Sequence, residues 1–129
     1  MSKGTGIPAT NGSFIAGADL RLKQFRIVYI SADNTVTFAA AATQLAIIGV
    51  LQNKPNINEA AEVVVHGESK LVLAGTISFG EYATADSAGE GVKLTPAATT
   101  PNCAVGKMLQ DGVDNDIARV FVNPQIINV

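Results

Sequence analysis

Two side chains in this sequence occur once and have the chemistry of a catalytic pair. His66 is the single histidine and Cys103 the single cysteine, while Ser69 follows the histidine by three positions. A hydrolase would place such a nucleophile beside the imidazole and an acid. Neither a nucleophile elbow nor a glycine-rich oxyanion loop accompanies these residues. We therefore interpret His66 as a half-exposed turn residue and Cys103 as a small buried hydrophobe.

A third group is a run of acids that could bind a hard cation. Asp111, Asp114 and Asp116 lie within the six residues Asp111-Gly112-Val113-Asp114-Asn115-Asp116. Carboxylate oxygens are the ligands that calcium and magnesium prefer. The spacing is not that of a twelve-residue calcium loop, and no glutamate closes it. A solvated hairpin turn is the favoured interpretation, with an incidental cation site as the alternative.

Composition and charge exclude several classes of partner. The 129-residue chain is 47% apolar and 16% charged, with a net charge of −2. Without a basic field we expect no nucleic-acid binding. The scattered glycines form no phosphate cradle, so we expect no nucleotide cofactor. The longest apolar run, residues 38–42, is too short to span a membrane. The first residues lack the apolar block of a secretory signal, so we expect synthesis in a cytoplasm.

The elements that must position these groups are dominated by a repeated pattern. Superposing residues 49–65 on residues 106–122 pairs Gly49 with Gly106, and it also aligns an acid–amide turn followed by a Val-rich strand. Each copy is typical of a β-hairpin with period-two alternation. His66 would then stand in a turn after the first hairpin. The acidic run would form the turn of the second hairpin.

The rest of the chain predicts further short strands and little helix. A strand is expected from Ala18 to Ile30, a return strand after the Asp33-Asn34 turn, and at most one helical turn from Ala39 to Gln44. Turn signals every 8 to 12 residues favour a barrel or sandwich. We predict one small all-β domain over residues 13–123. Residues 1–12 would be a flexible arm and residues 124–129 a tail that can add an edge strand.

The first hairpin and its surroundings resemble the central signature of tailed-phage capsid cement proteins, also called head decoration proteins. The resemblance covers approximately residues 14–123 and is most specific between Gly49 and Lys70. The residues that carry it are Gly49-Val50-Leu51-Gln52-Asn53-Lys54-Pro55, Glu59-Ala60-Ala61, Val63-Val64-Val65, Gly67, Ser69-Lys70, Ala74-Gly75, Ile77, Gly80, Val105-Gly106 and Val120-Phe121-Val122. The first dozen residues and the end of the chain depart from the family pattern.

The resemblance implies a fold, a location and a partner. It implies a non-enzymatic, β-tulip-like barrel on the exterior of a mature phage head. The expected partner is the major capsid protein, bound where capsomers meet, often by a homotrimer that holds the shell against internal DNA pressure. No cofactor or metal is expected. On this hypothesis the residues that contact the capsid are Lys3, Ile7, Pro8, Phe14 and Ile15.

A competing hypothesis keeps the chemistry of the rare side chains. A small β-barrel hydrolase or metal-dependent enzyme would use His66, Cys103 and the acids of residues 111–116. That hypothesis requires the side chains to meet in one pocket. The cement hypothesis allows them to lie apart on separate elements.

Overall fold

The computed structural model describes residues 8–95 and 100–127, and this part of the chain contains nine β-strands and no helix. The strands are β1 (Thr10–Ala16), β2 (Ile27–Ala32), β3 (Thr35–Phe38), β4 (Ile47–Leu51), β5 (Ala60–Val72), β6 (Tyr82–Ala85), β7 (Gly91–Lys93), β8 (Asn102–Met108) and β9 (Ile117–Ile127). The all-β prediction is confirmed. Val and Ile favour these half-buried pleated surfaces, and no 3.6-residue period competes with them.

The first five strands close into a barrel. Their order is β1-β3-β2-β4-β5, and β1 also pairs antiparallel with β5, which returns the sheet to its start. Closure removes the free edges that an open sheet would present to other chains. Strand β1 therefore has a paired strand on each side: β5 on one side and β3, which runs parallel to it, on the other.

Strands β6 to β9 form a similar arrangement with the second half of β5. Here β5 pairs with β9, β9 with β8, β8 with β6, and β6 with β7. A parallel bridge between Leu73 and Gly91 brings the end of β5 next to β7, as β1 lies next to β3. We call residues 10–66 unit 1 and residues 67–123 unit 2.

Strand β5 passes from one unit to the other without a break. We predicted a turn at His66-Gly67-Glu68, and this prediction is wrong. Gly67 instead has a φ of +110° in mid-strand, with Pro8 and Ala9 packed directly against its Cα. Only glycine adopts this conformation and leaves that space, so the strand bends there rather than ending.

The two units match in the register of their strands. Leu51 lies opposite Val63 in unit 1, and Met108 lies opposite Val120 in unit 2. These pairs are related by an offset of 57 residues, as the sequence predicted for the two hairpins. The match also extends beyond them, because Asn11 to Ile15 pair with β5 in the same register as Glu68 to Val72 pair with β9 at that offset.

Backbone details outside the hairpins repeat as well. The Ala16 amide donates to the Glu59 carbonyl at 2.9 Å, and the Leu73 amide donates to the Asp116 carbonyl at 2.8 Å. The residue before each acid, Asn58 or Asn115, has a φ near +70°. Asparagine tolerates this left-handed conformation better than most residues, which explains its place in both turns.

Each unit has its own core built from corresponding strands. Leu20, Val28 and Val36 are fully buried inside unit 1, and Leu71, Leu73 and Ile77 are fully buried inside unit 2. The second cluster is larger because it continues outside the barrel onto the outer face of β2 and β4 of unit 1. The two units therefore share one continuous apolar seam.

Both predicted domain limits need correction. Thr10, Asn11 and Gly12 are not part of an arm, because they pair with β5 from His66 to Val63. At the other end, the predicted tail continues β9, and Gln125 to Ile127 pair with the start of β8. Pro124 lies beside a register shift of the β8–β9 ladder, between Ala104 and Gly106, which is a position where a strand tolerates proline. Residues 1–7 and 128–129 lie outside the described residues.

Two local predictions in unit 1 are also wrong. The stretch from Ala39 to Gln44 forms turns rather than a helical turn, since four alanines without an apolar period have no face to bury. The predicted strand from Ala18 begins only at Ile27. The residues before it form turns that pack on the β4–β5 connection, where the Leu20 amide donates to the Pro55 carbonyl at 2.9 Å.

Candidate contact surfaces

His66 lies in the middle of β5, on the outside of the molecule. It is paired with Thr10, and its ring meets the ring of Phe121 edge-on, with 5.3 Å between the ring centroids. Edge-to-face contacts of this kind add modestly to the packing of exposed aromatic pairs. The imidazole thus has a structural neighbour on β9.

Cys103 is placed where its chemistry is suppressed. It is only 2% exposed, lies opposite Ile126, and belongs to the apolar seam between the units. Burial raises the pKa of the Cys103 thiol, which keeps it neutral at physiological pH. A neutral, covered thiol is a poor nucleophile and a poor metal ligand.

The acids of the β8–β9 turn are engaged in holding that turn. Asp111 accepts a hydrogen bond from the Phe79 amide at 2.9 Å, and Asp116 accepts one from the Val113 amide at 2.9 Å. Glu59 does the same in the β4–β5 turn of unit 1, where it accepts from the Asn56 amide at 2.7 Å. An acid at this position of both turns therefore has a structural role in each.

The structure does not bring these three groups together. Cys103 is at the open end of the β8–β9 hairpin, His66 lies beside the middle of β9, and the acids form the hairpin turn. Within residues 8–95 and 100–127, no group of three or more His, Cys, Asp or Glu side chains could hold a metal ion. The geometry that the enzyme hypothesis requires is not formed by these residues.

A surface depression of about 320 Å³ lies where β5 passes between the units, lined by Phe25, Gln52, Glu68, Ser69 and Lys70. Its polar groups bond to one another. Gln52 Nε2 donates to Ser69 Oγ at 2.8 Å, and Ser69 Oγ donates to the Lys70 carbonyl at 2.9 Å. The first of these bonds joins the β4–β5 connection of unit 1 to the part of β5 that belongs to unit 2.

Phe25, at the rim of this depression, has a φ of +62°. A bulky residue in this conformation is strained and needs support from its surroundings. The support is visible: its amide donates to the Leu51 carbonyl at 2.7 Å, and its carbonyl accepts from the Val72 amide at 2.9 Å. Gly80 occupies the corresponding position in unit 2, where its amide donates to the Met108 carbonyl.

The exposed apolar side chains are concentrated at two ends of the molecule. Eight large apolar residues in the described part of the chain are exposed, and six of them lie around the two hairpin turns. We call Ile15, Leu22 and Ile57 turn end 1, and Phe79, Val113 and Ile117 turn end 2. Exposed apolar side chains at one end of a molecule are candidates for contact with another molecule.

Backbone contacts hold the members of each turn end at the same place. In turn end 1, Ile15 pairs with Ala60 at the start of β5, and the loop that carries Leu22 is bonded to the β4–β5 turn through Leu20. In turn end 2, the bridge between Ile77 and Gly112 and the bond from Phe79 to the β8–β9 turn have the same effect. The two ends lie at opposite ends of β5, because Ala60 begins that strand and Val72, which ends it, pairs with Ile117.

The two turn ends differ in charge. Turn end 1 contains the Asp19–Arg21 ion pair, in which the guanidinium is 2.8 Å from the carboxylate and lowers the pKa of Asp19 to about 2. The loop in unit 2 has Thr76 and Ser78 at the corresponding positions, and its turn carries the three acids. Turn end 1 is therefore nearly neutral and turn end 2 is acidic.

The predicted capsid-contact residues are distributed over several places. Ile15 belongs to turn end 1 and is 41% exposed, whereas Phe14 packs against the core of unit 1. Pro8 is exposed and lies over Gly67, far from turn end 1. Lys3 and Ile7 lie outside the described residues.

Sequence reasoning missed the other five members of the turn ends. It also missed that the whole of unit 1 is repeated, because the repeat changes offset. The loop from Leu20 to Phe25 corresponds to a loop from Ile77 to Gly80 that is two residues shorter. The strands β2 and β3 therefore match β6 and β7 at an offset of 55 rather than 57. A search that allowed this change would have found the pairing.

Comparison of the chain with protein-family models and with curated proteins found no match. In the described part of the chain, no helix has the length and apolar character needed to cross a membrane.

Proposed function

We propose that this protein is a capsid cement protein that binds the outer surface of a phage head and joins neighbouring capsomers. The observation that carries the proposal is the grouping of exposed apolar side chains at two corresponding ends of a rigid barrel pair. The resemblance of residues 49–70 to head decoration proteins supplies the identity of the partner, the major capsid protein.

The distance between the turn ends suits a bridging role. The 13 residues of β5 separate them, which corresponds to at most about 40 Å at roughly 3.3 Å per residue, because the strand bends at Gly67. One chain can therefore contact two places on a shell at once. Two linked contacts raise overall affinity by about 10²–10⁴ over one, provided that both sites are in reach. Protein that binds only the expanded shell then stabilises it by mass action.

We expect the frame between the contacts to be stiff enough to transmit load. Both units are closed by strand pairing, and β5 belongs to both of them. In the described residues, every buried side-chain nitrogen or oxygen has a hydrogen-bond partner. A force applied at one turn end therefore meets a continuous hydrogen-bonded ladder rather than a flexible linker.

The test is binding of the purified protein to expanded and unexpanded heads of the parent phage, followed by sedimentation of the heads. We expect saturable binding to expanded heads. We expect Ile57→Lys and Val113→Lys each to weaken it by about tenfold, because each buries a charge in an apolar contact. Leu45→Lys is the matched control, since Leu45 is 42% exposed but lies outside both turn ends. It should bind within about twofold of the wild type.

Two results would contradict the proposal. Absence of wild-type binding to both kinds of head would reject a cement function. Equal weakening by all three lysine substitutions would show that binding does not use the turn ends. The alternative of a small hydrolase or metal-dependent enzyme has no supporting geometry among the described residues. Hydrolysis of a model ester that Cys103→Ala abolishes would revive it.

A further inference from the structure

The repeat reveals a row of side chains whose surroundings differ between the units. In unit 1, Ile27, Val50 and Val64 lie directly opposite one another on β2, β4 and β5 and point out of the barrel. All three are buried, with at most 3% exposure. They are covered by the apolar seam that includes Cys103 and Val105 at the open end of the β8–β9 hairpin. In unit 1, the outer face of the sheet formed by β2, β4 and β5 is therefore already covered by another segment of the chain.

The same row in unit 2 lies outside the apolar seam and is partly exposed, with the His66 ring edge-on against Phe121. Tyr82, Lys107 and Phe121 lie opposite one another on β6, β8 and β9, at the positions that match Ile27, Val50 and Val64. Lys107 is exposed, and the two aromatic residues are half-buried. As in unit 1, the two outer residues of the row have large apolar side chains. The central residue differs, because a lysine stands where unit 1 has a valine. We call these three residues the Lys107 row.

The cation at the centre of the row has no carboxylate partner in residues 8–95 and 100–127. The Lys107 ammonium lies 5.1 Å from the centroid of the Tyr82 ring. Its neighbours on the same sheet are paired: Lys93 binds Glu81 at 2.8 Å, and Arg119 binds Glu68 at 2.7 Å. A cation held against one aromatic ring, with a second aromatic side chain on the facing strand, offers a partner both apolar area and a charge to pair with.

We propose that the Lys107 row is a second docking surface, which receives a carboxylate-bearing segment of the capsid protein. The apolar flanks provide the area that such a segment covers, as in unit 1, and the ammonium pairs with its carboxylate. Charge complementarity favours an acidic segment over an apolar one, because an apolar segment would bury Lys107 without a partner. The inference rests on the proposed function and adds a contact between the two turn ends.

The test compares Lys107→Glu with Lys70→Glu in the head-binding measurement, at low and at moderate salt. Lys70 is the matched control because it is exposed and its ammonium also lies over a ring, 5.7 Å from the Phe25 centroid. It belongs neither to a turn end nor to the Lys107 row. We expect Lys107→Glu to weaken binding by about tenfold or more, because it places like charges in contact. We expect Lys70→Glu to stay within about twofold of the wild type.

A third variant separates charge from shape. Lys107→Met keeps an unbranched side chain over Tyr82 but removes the ammonium. We expect it to bind expanded heads with intermediate affinity and with a weaker dependence on salt than the wild type, because one screened ion pair is absent.

Each remaining outcome decides the matter. Wild-type binding that Lys107→Glu leaves unchanged would overturn the docking surface and leave the turn ends intact. Failure of the wild type to bind heads would overturn the proposed function, and this inference with it. A change of molar mass in light scattering between the wild type and Lys107→Glu would assign the row to a second copy of the chain, against the proposal.

Discussion

Units 1 and 2 have the same strand pairings, yet they present different surfaces. The outer face of β2, β4 and β5 in unit 1 is buried under the extended β8–β9 hairpin, while the corresponding face of unit 2 carries Tyr82, Lys107 and Phe121. The turn ends also share their backbone but differ in charge. Backbone hydrogen bonds and inward-facing residues determine the fold, so the outward-facing residues of a repeat can change without altering it.

The repeat places two apolar turn ends at a fixed separation on one chain. A difference at three outward positions lets unit 1 pack against the β8–β9 hairpin and leaves the corresponding face of unit 2 partly exposed. On our proposal, that exposed face and the turn ends are separate contacts with the capsid protein.

The largest effect is expected at a glycine that both units need. Gly49 and Gly106 lie so close to the facing strand that an added Cβ would overlap the carbonyl oxygen of Val64 or Phe121. We expect Gly49→Ala and Gly106→Ala each to lower the free energy of unfolding by about 4 kcal/mol, because strand pairing must open. Urea denaturation measures this. Gly75→Ala, with open space around it, is the control and should change stability by less than about 0.5 kcal/mol.

A smaller effect is expected in the two cores. Leu51 and Met108 occupy the same position and are 0% and 2% exposed. We expect Leu51→Ala and Met108→Ala each to cost about 3 kcal/mol, from lost apolar burial and the cavity left behind. Leu22→Ala, at an 85% exposed site, should have almost no effect on urea unfolding. A core substitution that is costly in only one unit would show that the two barrels are not energetically alike.

The turns should respond less strongly. Asn58 and Asn115 have φ values of 69° and 71°. We expect alanine at either position to lower the free energy of unfolding by about 1 kcal/mol. Alanine has a Cβ, which disfavours the left-handed conformation, and it lacks the polar side chain with which asparagine can bond locally. Glycine at either position should be nearly neutral. Thermal unfolding of the four variants gives the comparison, and equal loss with alanine and glycine would point to a lost side-chain contact instead.

The smallest effect concerns a charge pair found only in unit 1. The Arg21 guanidinium lowers the pKa of Asp19 to about 2, and no such pair exists at Thr76 and Ser78 in unit 2. A depressed pKa adds stability above the unfolded value of about 4, which is lost as the pH falls toward 2. The pair is fully exposed, so the effect on unfolding should be slight. An NMR titration should show the pKa of Asp19 rising toward its ordinary value in Arg21→Gln, and an unchanged pKa would contradict this.

Much of the fold could be predicted from the sequence. The exceptions are strand segments made of glycine and polar residues, whose composition is that of a turn or a loop. The all-β class and the register of the two hairpins follow from alternating valines and from the acid–amide turns. The continuity of β5 could not be predicted, because His66-Gly67-Glu68 has the composition of a turn. Only the packing of Pro8 and Ala9 against Gly67 shows that the strand continues there. The strand β1 was missed because Thr10 to Gly12 have no apolar period and are held by pairing with β5.

The candidate site divides in the same way. The sequence alone determined which reactive side chains the chain contains. It also indicated that His66, Cys103 and the acids of residues 111–116 belong to different elements. It also determined the repeat of the hairpins, since period-two patterns and turn residues act over short range. Only the tertiary structure decided that Leu22, Phe79 and the Lys107 row face outward. Exposure depends on which distant segment covers a face, and this is set by the packing of the whole chain rather than by local preference.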